Sequence, residues 1–462
     1  MSTRSDFVGQ NQVVTETPVP HEFPGFFWLP ETPETKVPGV LSISAQGEVR
    51  LSLIGELRSM LAFAPVTVSA DGSTHVSVTE DSQDRAGQYS RVLGQSRQTF
   101  LTLEDGYQTR HQSHLFGGMP AQELGFNKCF EGVAFEEGEA LAFDRLRVGL
   151  QHLTHWVGES GLTETIQVAG GEQPRIQTLQ LSALGTRTLV LDSERELALH
   201  HTCSVSGDFT ARTVTQEFVF EIRQDKKAAL EELMLLASGL QAFVSLGTGR
   251  VCGYVAPALS RPDLKDGGLD TPDVFRRYVA YHARWRARDQ SARPVDGHSM
   301  PFRLADVGGL DVFAAWLPLH RKFRHQIDMV TSTRLGDGLV SDKLLYRVAA
   351  LEGIHKLMVP ASRSLGKRLR ALADRVGETF TDLVGDVDAW IAEVVAERNH
   401  IGHGSEPEQF EAIRVLHLAE AAYWLFVWTL LIELDRPAAF DRSTQSQDIR
   451  WLRRQLGATN PT

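Results

Sequence analysis

Trp390-Ile-Ala-Glu-Val-Val-Ala-Glu-Arg398-Asn399-His400-Ile-Gly402-His403-Gly404 is the stretch on which the reading of this chain turns. Its apolar residues Trp390, Ile391, Val394, Val395 and Ile401 recur at three- and four-residue spacing, which predicts an amphipathic helix with one buried face. That helix delivers Arg398, Asn399, His400 and His403 to its C-terminal end. Gly402 and Gly404 can take positive φ and are expected to stop it there. A guanidinium and two imidazoles are thus gathered where a helix runs out.

Outward from this stretch the helical period continues. From about residue 311 the spacing predicts helices over 311–333, 341–358, 362–377, 381–401, 408–434 and 445–456, joined by short polar connections, which describes a bundle. The apolar run at 421–434 is about two-thirds of a membrane span and is bracketed by Glu420 and Glu433, so it reads as a buried core helix and no membrane partner is expected. Upstream the rhythm is that of strands. Short apolar runs at 37–53, 66–78, 99–103, 179–191 and 218–222 are punctuated by turn residues such as Asp71-Gly72-Ser73, predicting an antiparallel, sandwich-like β domain. The period changes at Asp225: a helix is expected over 226–246, stopped by Gly247 and Gly249, and a basic helix from Pro272 to about Gln290. The expected class is therefore α+β and multidomain. It comprises a polar tail (1–21), a β-rich sensor or regulatory domain (22–250), a connecting segment (251–310) and a helical domain (311–462).

A chain of 462 residues exceeds what one hydrophobic core usually serves, and 42% hydrophobic with 23% charged residues is ordinary for a folded protein. Cys129, Cys203 and Cys252 are odd in number, far apart and form no CxxC pair, which argues against a disulfide framework or a zinc ribbon and fits a reducing cytoplasm. No signal peptide is visible at the N-terminus. The net charge of -11 opposes a polyanionic partner for the chain as a whole. The charge is uneven, however: about 19 basic and 20 acidic residues follow position 310, against about 28 and 38 before it. The near-neutral C-terminal part holds a local cluster, Arg363, Lys367, Arg368, Arg370 and Arg375. That cluster reads equally as a solvated helix face or as an RNA-backbone contact.

The spacing Arg-x4-His alone is weak evidence, since Arg147/His152, Arg195/His200, Arg277/His282 and Arg293/His298 share it. Only Arg398 has Asn beside it, ends a long amphipathic helix and precedes a long apolar one. Arg398-Asn399-x-x-x-His403 resembles the signature of the HEPN superfamily of helical ribonucleases. With Ala349-Ala-Leu-Glu352-Gly-Ile-His355 two helices earlier, the pattern is similar to the HEPN domain of ApeA-like anti-phage proteins, and Gly25-Phe26-Phe27-Trp28-Leu29-Pro30 followed by Gly39-Val-Leu resembles the start of that family's N-terminal domain.

The resemblance implies a bacterial defence ribonuclease, cytoplasmic and without cofactor, in which the substrate's own 2′-hydroxyl attacks phosphorus. His403 would then move protons near its pKa, and the planar fork of Arg398 would hold the phosphoryl oxygens. Asn399 would orient a partner, with Glu352 and His400 as supporting candidates. Arg363, Lys367, Arg368 and Arg370 are candidates for RNA contact. Residues five apart on an α-helix point about 140° apart, so Arg398 meets His403 only if the helix loosens near Gly402 or a second chain supplies one of them. The family pattern favours the second, hence a homodimer or a higher oligomer. Trp390, Val394 and the helix carrying Tyr423, Trp424, Phe426 and Trp428 are the apolar candidates for its interface. The implied partners are RNA and a phage-derived trigger. Two further readings stay open: a non-catalytic HEPN binding or dimerisation module, and a β-sandwich ligand sensor. His111-x-x-His114, His152-x-x-His155 and His200-His201-x-Cys203 carry zinc-ligand types, but residues three apart on a strand face opposite ways, and no metal site is expected. Phe26, Phe27 and Trp28 read as core anchors.

Overall fold

Alternation organises the first half of the chain. In β2 (Val37–Ile43) and β3 (Val49–Ile54) every second residue is buried, as a strand with one face on a core requires. The computed structural model describes residues 21–58, 66–68, 71, 74–76, 87–97, 99–112, 118–167, 176–265, 276–283, 295–335, 338–403 and 411–458. The expected polar tail and His114 lie outside them, apart from His21. The chain divides into two compact units. One comprises Met1–Val148, Lys226–Leu230 and Tyr254–Asp289, the other Gly149–Asp225, Glu231–Gly253 and Gln290–Thr462. These units are drawn by packing: 149–225 is strand-rich yet packs with the helical half.

In the first unit, β1 (His21–Trp28) pairs with β2, and β2 with β3. A small hairpin, β4 (Val66–Val68) and β5 (Thr74–Val76), stands apart. β6 (Gln88–Ser96) pairs with β7 (Thr99–Gln112), β7 with β8 (Ala121–Glu131), β8 with β3, and β6 back to β1, all antiparallel. Six strands therefore close into a barrel rather than facing each other as two sheets. Phe27, Leu41, Leu51, Val92, Leu101 and Leu124 fill it. Gly25 allows the close approach of β1 to β6, since a Cβ there would stand 2.3 Å from the Gln95 carbonyl oxygen. Phe27 and Trp28 are buried as expected, whereas Phe26 points outward. Val279–Ala283 pairs with the second half of β8 and with Tyr254–Ser260. Part of the segment expected as a basic helix at 272–290 is thus a strand, because Val279, Tyr281 and Ala283 alternate inward.

In the second unit, Arg187–Val190, Arg195–Gly207 and Arg212–Ala229 pair in that order. The helices follow from α1 (Leu153–Val157) and α2 (Leu230–Thr248). Next come α3 (Val312–Ser332), α4 (Val340–Met358), α5 (Leu365–Val376), α6 (Glu378–Val384) and α7 (Val387–His403). α8 (Ala412–Glu433), α9 (Pro437–Thr444) and α10 (Gln447–Ala458) complete it. The expected helix at 381–401 is divided at Gly385, whose φ of 77 suits glycine. α8 is buried nearly all round from Val415 to Leu431, so this helix is the bundle's centre. By length and composition α2 and α8 could cross a membrane, but 83% of the α8 window is buried in protein, as in a core helix. Trp316 of α3 donates its indole N–H to the Gly239 carbonyl of α2 at 2.7 Å.

Candidate active site

α7 carries Arg398, Asn399, His400 and His403 because its other face is apolar. Trp390, Ile391 and Val394 are buried, and Trp390 packs edge-on to Phe380 at 4.9 Å. The helix continues through Gly402 to His403. The expected stop at Gly402 is therefore not where the helix ends. Gly402 is exposed, and a Cβ added to it would meet nothing within 4 Å. On this unbroken backbone positions 399 and 403 share a face, while 398 and 403 lie about 140° apart.

Arg398 is half-buried and donates from Nη1 to Asn399 Oδ1 at 3.1 Å. Among the described residues no carboxylate lies within 4.0 Å of it. Neighbouring arginines are different. Arg414, at the start of α8, grips Glu393 of α7 with two hydrogen bonds of 2.8 Å, and Arg370 pairs with Asp388. The Arg414–Glu393 fork ties α8 to the motif helix. It was not legible in the sequence, because its partners are brought together only by the path of the chain between the two helices.

The supporting residues fall differently. Glu352 pairs with Lys356 at 2.7 Å and approaches Arg368 at 4.0 Å, which leaves it occupied away from Arg398. Arg368 is buried. It donates to the carbonyls of Ala361 and Arg363 and to His355 Nδ1, so it fastens the α4–α5 turn and has no free edge for a phosphate. Burial, with the charges of Arg368 and Arg363 beside it, keeps the His355 imidazole below its ordinary pKa. Arg370 is engaged by Asp388, and of the four RNA candidates Arg363 and Lys367 are exposed with no carboxylate within 4.0 Å among the described residues. His400 is half-buried. Trp390, Val394, Tyr423, Trp424, Phe426 and Trp428 are each at most 2% exposed. They fill their own core and leave nothing for an interface. What α7 does expose is a stripe of Ala389, Ala392, Ala396 and Asn399.

The polar centre of the bundle is an ion cluster absent from the sequence reading. Arg347 donates to Glu420 at 2.8 Å and to Thr333 at 2.9 Å, while Arg334 pairs with Glu420 at 2.9 Å and stacks on Tyr423. Burial opposes the Glu420 charge, yet Arg334 and Arg347 together hold its carboxyl below the usual range. Two imidazoles of the β-rich stretch likewise face carboxylates: His111 lies 2.9 Å from Glu56 and His200 2.7 Å from Glu221. Among the described residues no three His, Cys, Asp or Glu side chains are grouped to hold a metal ion.

A β-barrel region followed by a helical bundle, with a long helix ending on Arg-Asn-x-x-x-His, defines a protein of the HEPN class. Residues 348–440 match the model of the Apea-like HEPN domain, and residues 22–316 match ApeA N-terminal domain 1. The second match spans more than half of the chain, and the chain belongs to the ApeA family. Neither a curated protein nor a solved structure matches it. HEPN domains are in general ribonuclease modules of defence systems that dimerise and act on RNA.

Proposed function

We propose that the chain is a metal-independent endoribonuclease of anti-phage defence, acting in the cytoplasm through a cleft that two chains build from Arg398, Asn399 and His403. One observation carries the two-chain reading: the helix is continuous through position 403, so Arg398 and His403 of one chain diverge around it. In the reaction the RNA 2′-hydroxyl attacks the adjacent phosphorus and a histidine serves the proton steps. The Arg398 fork neutralises the charge growing on the phosphoryl oxygens. Asn399 Oδ1 accepts from Arg398 and so steadies the guanidinium. The exposed Ala389, Ala392 and Ala396 stripe is small enough to let a second copy of α7 approach closely across a two-fold axis. The preferred substrate is an unpaired loop such as that of a tRNA, whose nucleotides can splay out. The acidic N-terminal region restrains the nuclease by repelling RNA until a phage-derived trigger engages it.

The test is cleavage of total RNA by purified protein in EDTA. Products ending in a 2′,3′-cyclic phosphate and a 5′-hydroxyl are expected, because the nucleophile comes from the substrate. A 5′-phosphate, or loss of activity to the chelator, contradicts the mechanism. Intact RNA under triggering conditions would favour a HEPN bundle that only binds.

A further inference from the structure

Residues 321–325 of α3, Arg-Lys-Phe-Arg-His, put three cations and an imidazole on its outward face. Phe323 alone is buried, at a break in the helix where φ is -111 and ψ 18. Arg321 and Lys322 are exposed with no carboxylate within 4.0 Å among the described residues. Arg324 has only Asp328, at 3.7 Å with both side chains exposed, a pairing worth little in water. This contrasts with Arg334, Arg347, Arg370 and Arg414, each neutralised by a carboxylate. In a chain of net charge -11, cations held only by the Phe323 ring beneath Lys322 and by an exposed carboxylate beside Arg324 mark a surface open to an anion.

Contacts between helices locate that stretch. Gln326 lies against Gly353, where a Cβ would meet its Nε2 at 2.8 Å, and Arg347 Nε donates to Thr333 Oγ1. α3 and α4 therefore run antiparallel with 326 level with 353, which puts Lys322 level with Leu357 in the last turn of α4. Arg368 of α5 reaches His355 of α4, so those two are antiparallel as well. Gly366 faces Ile391 and Arg370 pairs with Asp388, so α5 and α7 are also antiparallel. Extending that register places Arg398 level with the turn between α4 and α5, the turn that carries Arg363. Arg363 and Lys367 are exposed at this same end, with no carboxylate within 4.0 Å among the described residues. With a rise of about 1.5 Å per residue and neighbouring axes about 8–10 Å apart, the α3 stretch lies roughly 20–30 Å from Arg398, a span of a few nucleotides of single-stranded RNA.

We infer that Arg321, Lys322, Arg324 and His325, continued by Arg363 and Lys367, form a phosphate-tracking flank that holds the RNA strand beside the cleavage site. The inference rests on the ribonuclease reading and adds to it a substrate surface on a helix other than the one bearing the motif. Contacts of this kind grip backbone phosphates without reading bases, so they set affinity and its salt dependence.

The experiment uses the full chain carrying His403→Ala, to keep RNA intact, and a fluorescein-labelled single-stranded RNA followed by anisotropy from 50 to 300 mM salt. Adding Arg321→Gln, Lys322→Gln and Arg324→Gln is expected to weaken binding at least tenfold near 150 mM. It should also flatten the slope of log affinity against log salt by about 2, at about 0.7 per lost phosphate contact. The control removes three exposed cations elsewhere in the same unit: Arg450→Gln, Arg453→Gln and Arg454→Gln. Unchanged binding and slope in the α3 variant, or an equal loss in the control, overturns the inference. With His403 restored, the α3 variant should raise KM and leave kcat nearly unchanged. A parent that cleaves RNA with the variant's KM unaltered sinks this flank alone, whereas a parent that neither binds nor cuts RNA sinks the ribonuclease reading with it. Loss of sedimentation with phosphatidylserine vesicles at unchanged RNA affinity would assign the flank to a membrane instead and overturn the inference too.

Discussion

Arg398 and His320 show opposite fates for a charged-type side chain. Arg398 faces no carboxylate among the described residues and bonds its neighbour Asn399, so removing it leaves no buried partner stranded. Arg398→Ala and His403→Ala are each expected to cut ribonuclease activity at least about a hundredfold. Stability should change by less than about 0.5 kcal/mol for Arg398→Ala, and Asn399→Ala should cost less activity than either. Thermal melts beside rate assays check this; a variant that unfolds but keeps its specific activity contradicts it. His320 is 2% exposed and lies against Trp316, and burial, only partly offset by Asp328, pushes its pKa down to about 4. Between pH about 6.5 and about 4 the unfolded chain takes up a proton that the folded chain refuses, so stability falls as pH falls through that window. The loss approaches about 3 kcal/mol at the low end. Denaturant titrations at pH 7 and 4.5 should show it, and His320→Gln should remove most of the difference. That positions 398, 399, 400 and 403 share one helix was legible in the sequence, because their spacing is local. The burial of Arg368 was not: its partners are carbonyls of a turn whose path no spacing rule reveals.

At the scale of elements, period located α3, α4, α5, α8 and α10 to within a few residues, since each buries a face at 3.6-residue spacing, but it merged α6 with α7 and missed the short α9. It failed where two signals overlapped. Residues 272–290 are rich in Arg and read as a helix, yet Val279, Tyr281 and Ala283 alternate into a strand. The aromatic helix α8 looked like an interface candidate, because sequence cannot say whether an all-round apolar helix is covered by its own bundle or by a partner. The motif helix itself offers a test. Gly402 sits inside α7 with open space where a Cβ would go. Gly402→Ala should therefore gain up to about 1 kcal/mol of helix stability. If the cleft requires one chain to bend at Gly402, this substitution lowers activity sharply. A two-chain cleft keeps activity within about twofold, which is the outcome expected.

For the whole molecule, the sequence separated a β-rich region from a helical one, and packing groups the chain along a different line. Residues 149–225 belong by packing with the helices although their strands read like those of the barrel. What no single chain reveals is how the cleft is completed, and complementation addresses that. Arg398→Ala and His403→Ala chains are each expected to be inactive as homodimers, because every cleft then lacks the phosphate clamp or the proton carrier. If each cleft draws Arg398 from one chain and His403 from the other, a mixed dimer holds one cleft with both residues intact and one with neither. With random exchange half of the dimers are mixed and each carries one of two clefts, so activity should return to about a quarter of wild type. Disrupting the exposed stripe with Ala392→Glu and Ala396→Glu should abolish both the recovery and the dimer mass, while folding stays intact because neither position is buried. No recovery on mixing, together with full activity of a monomeric species, would show that one chain suffices and that α7 must depart from its regular helix in the working state.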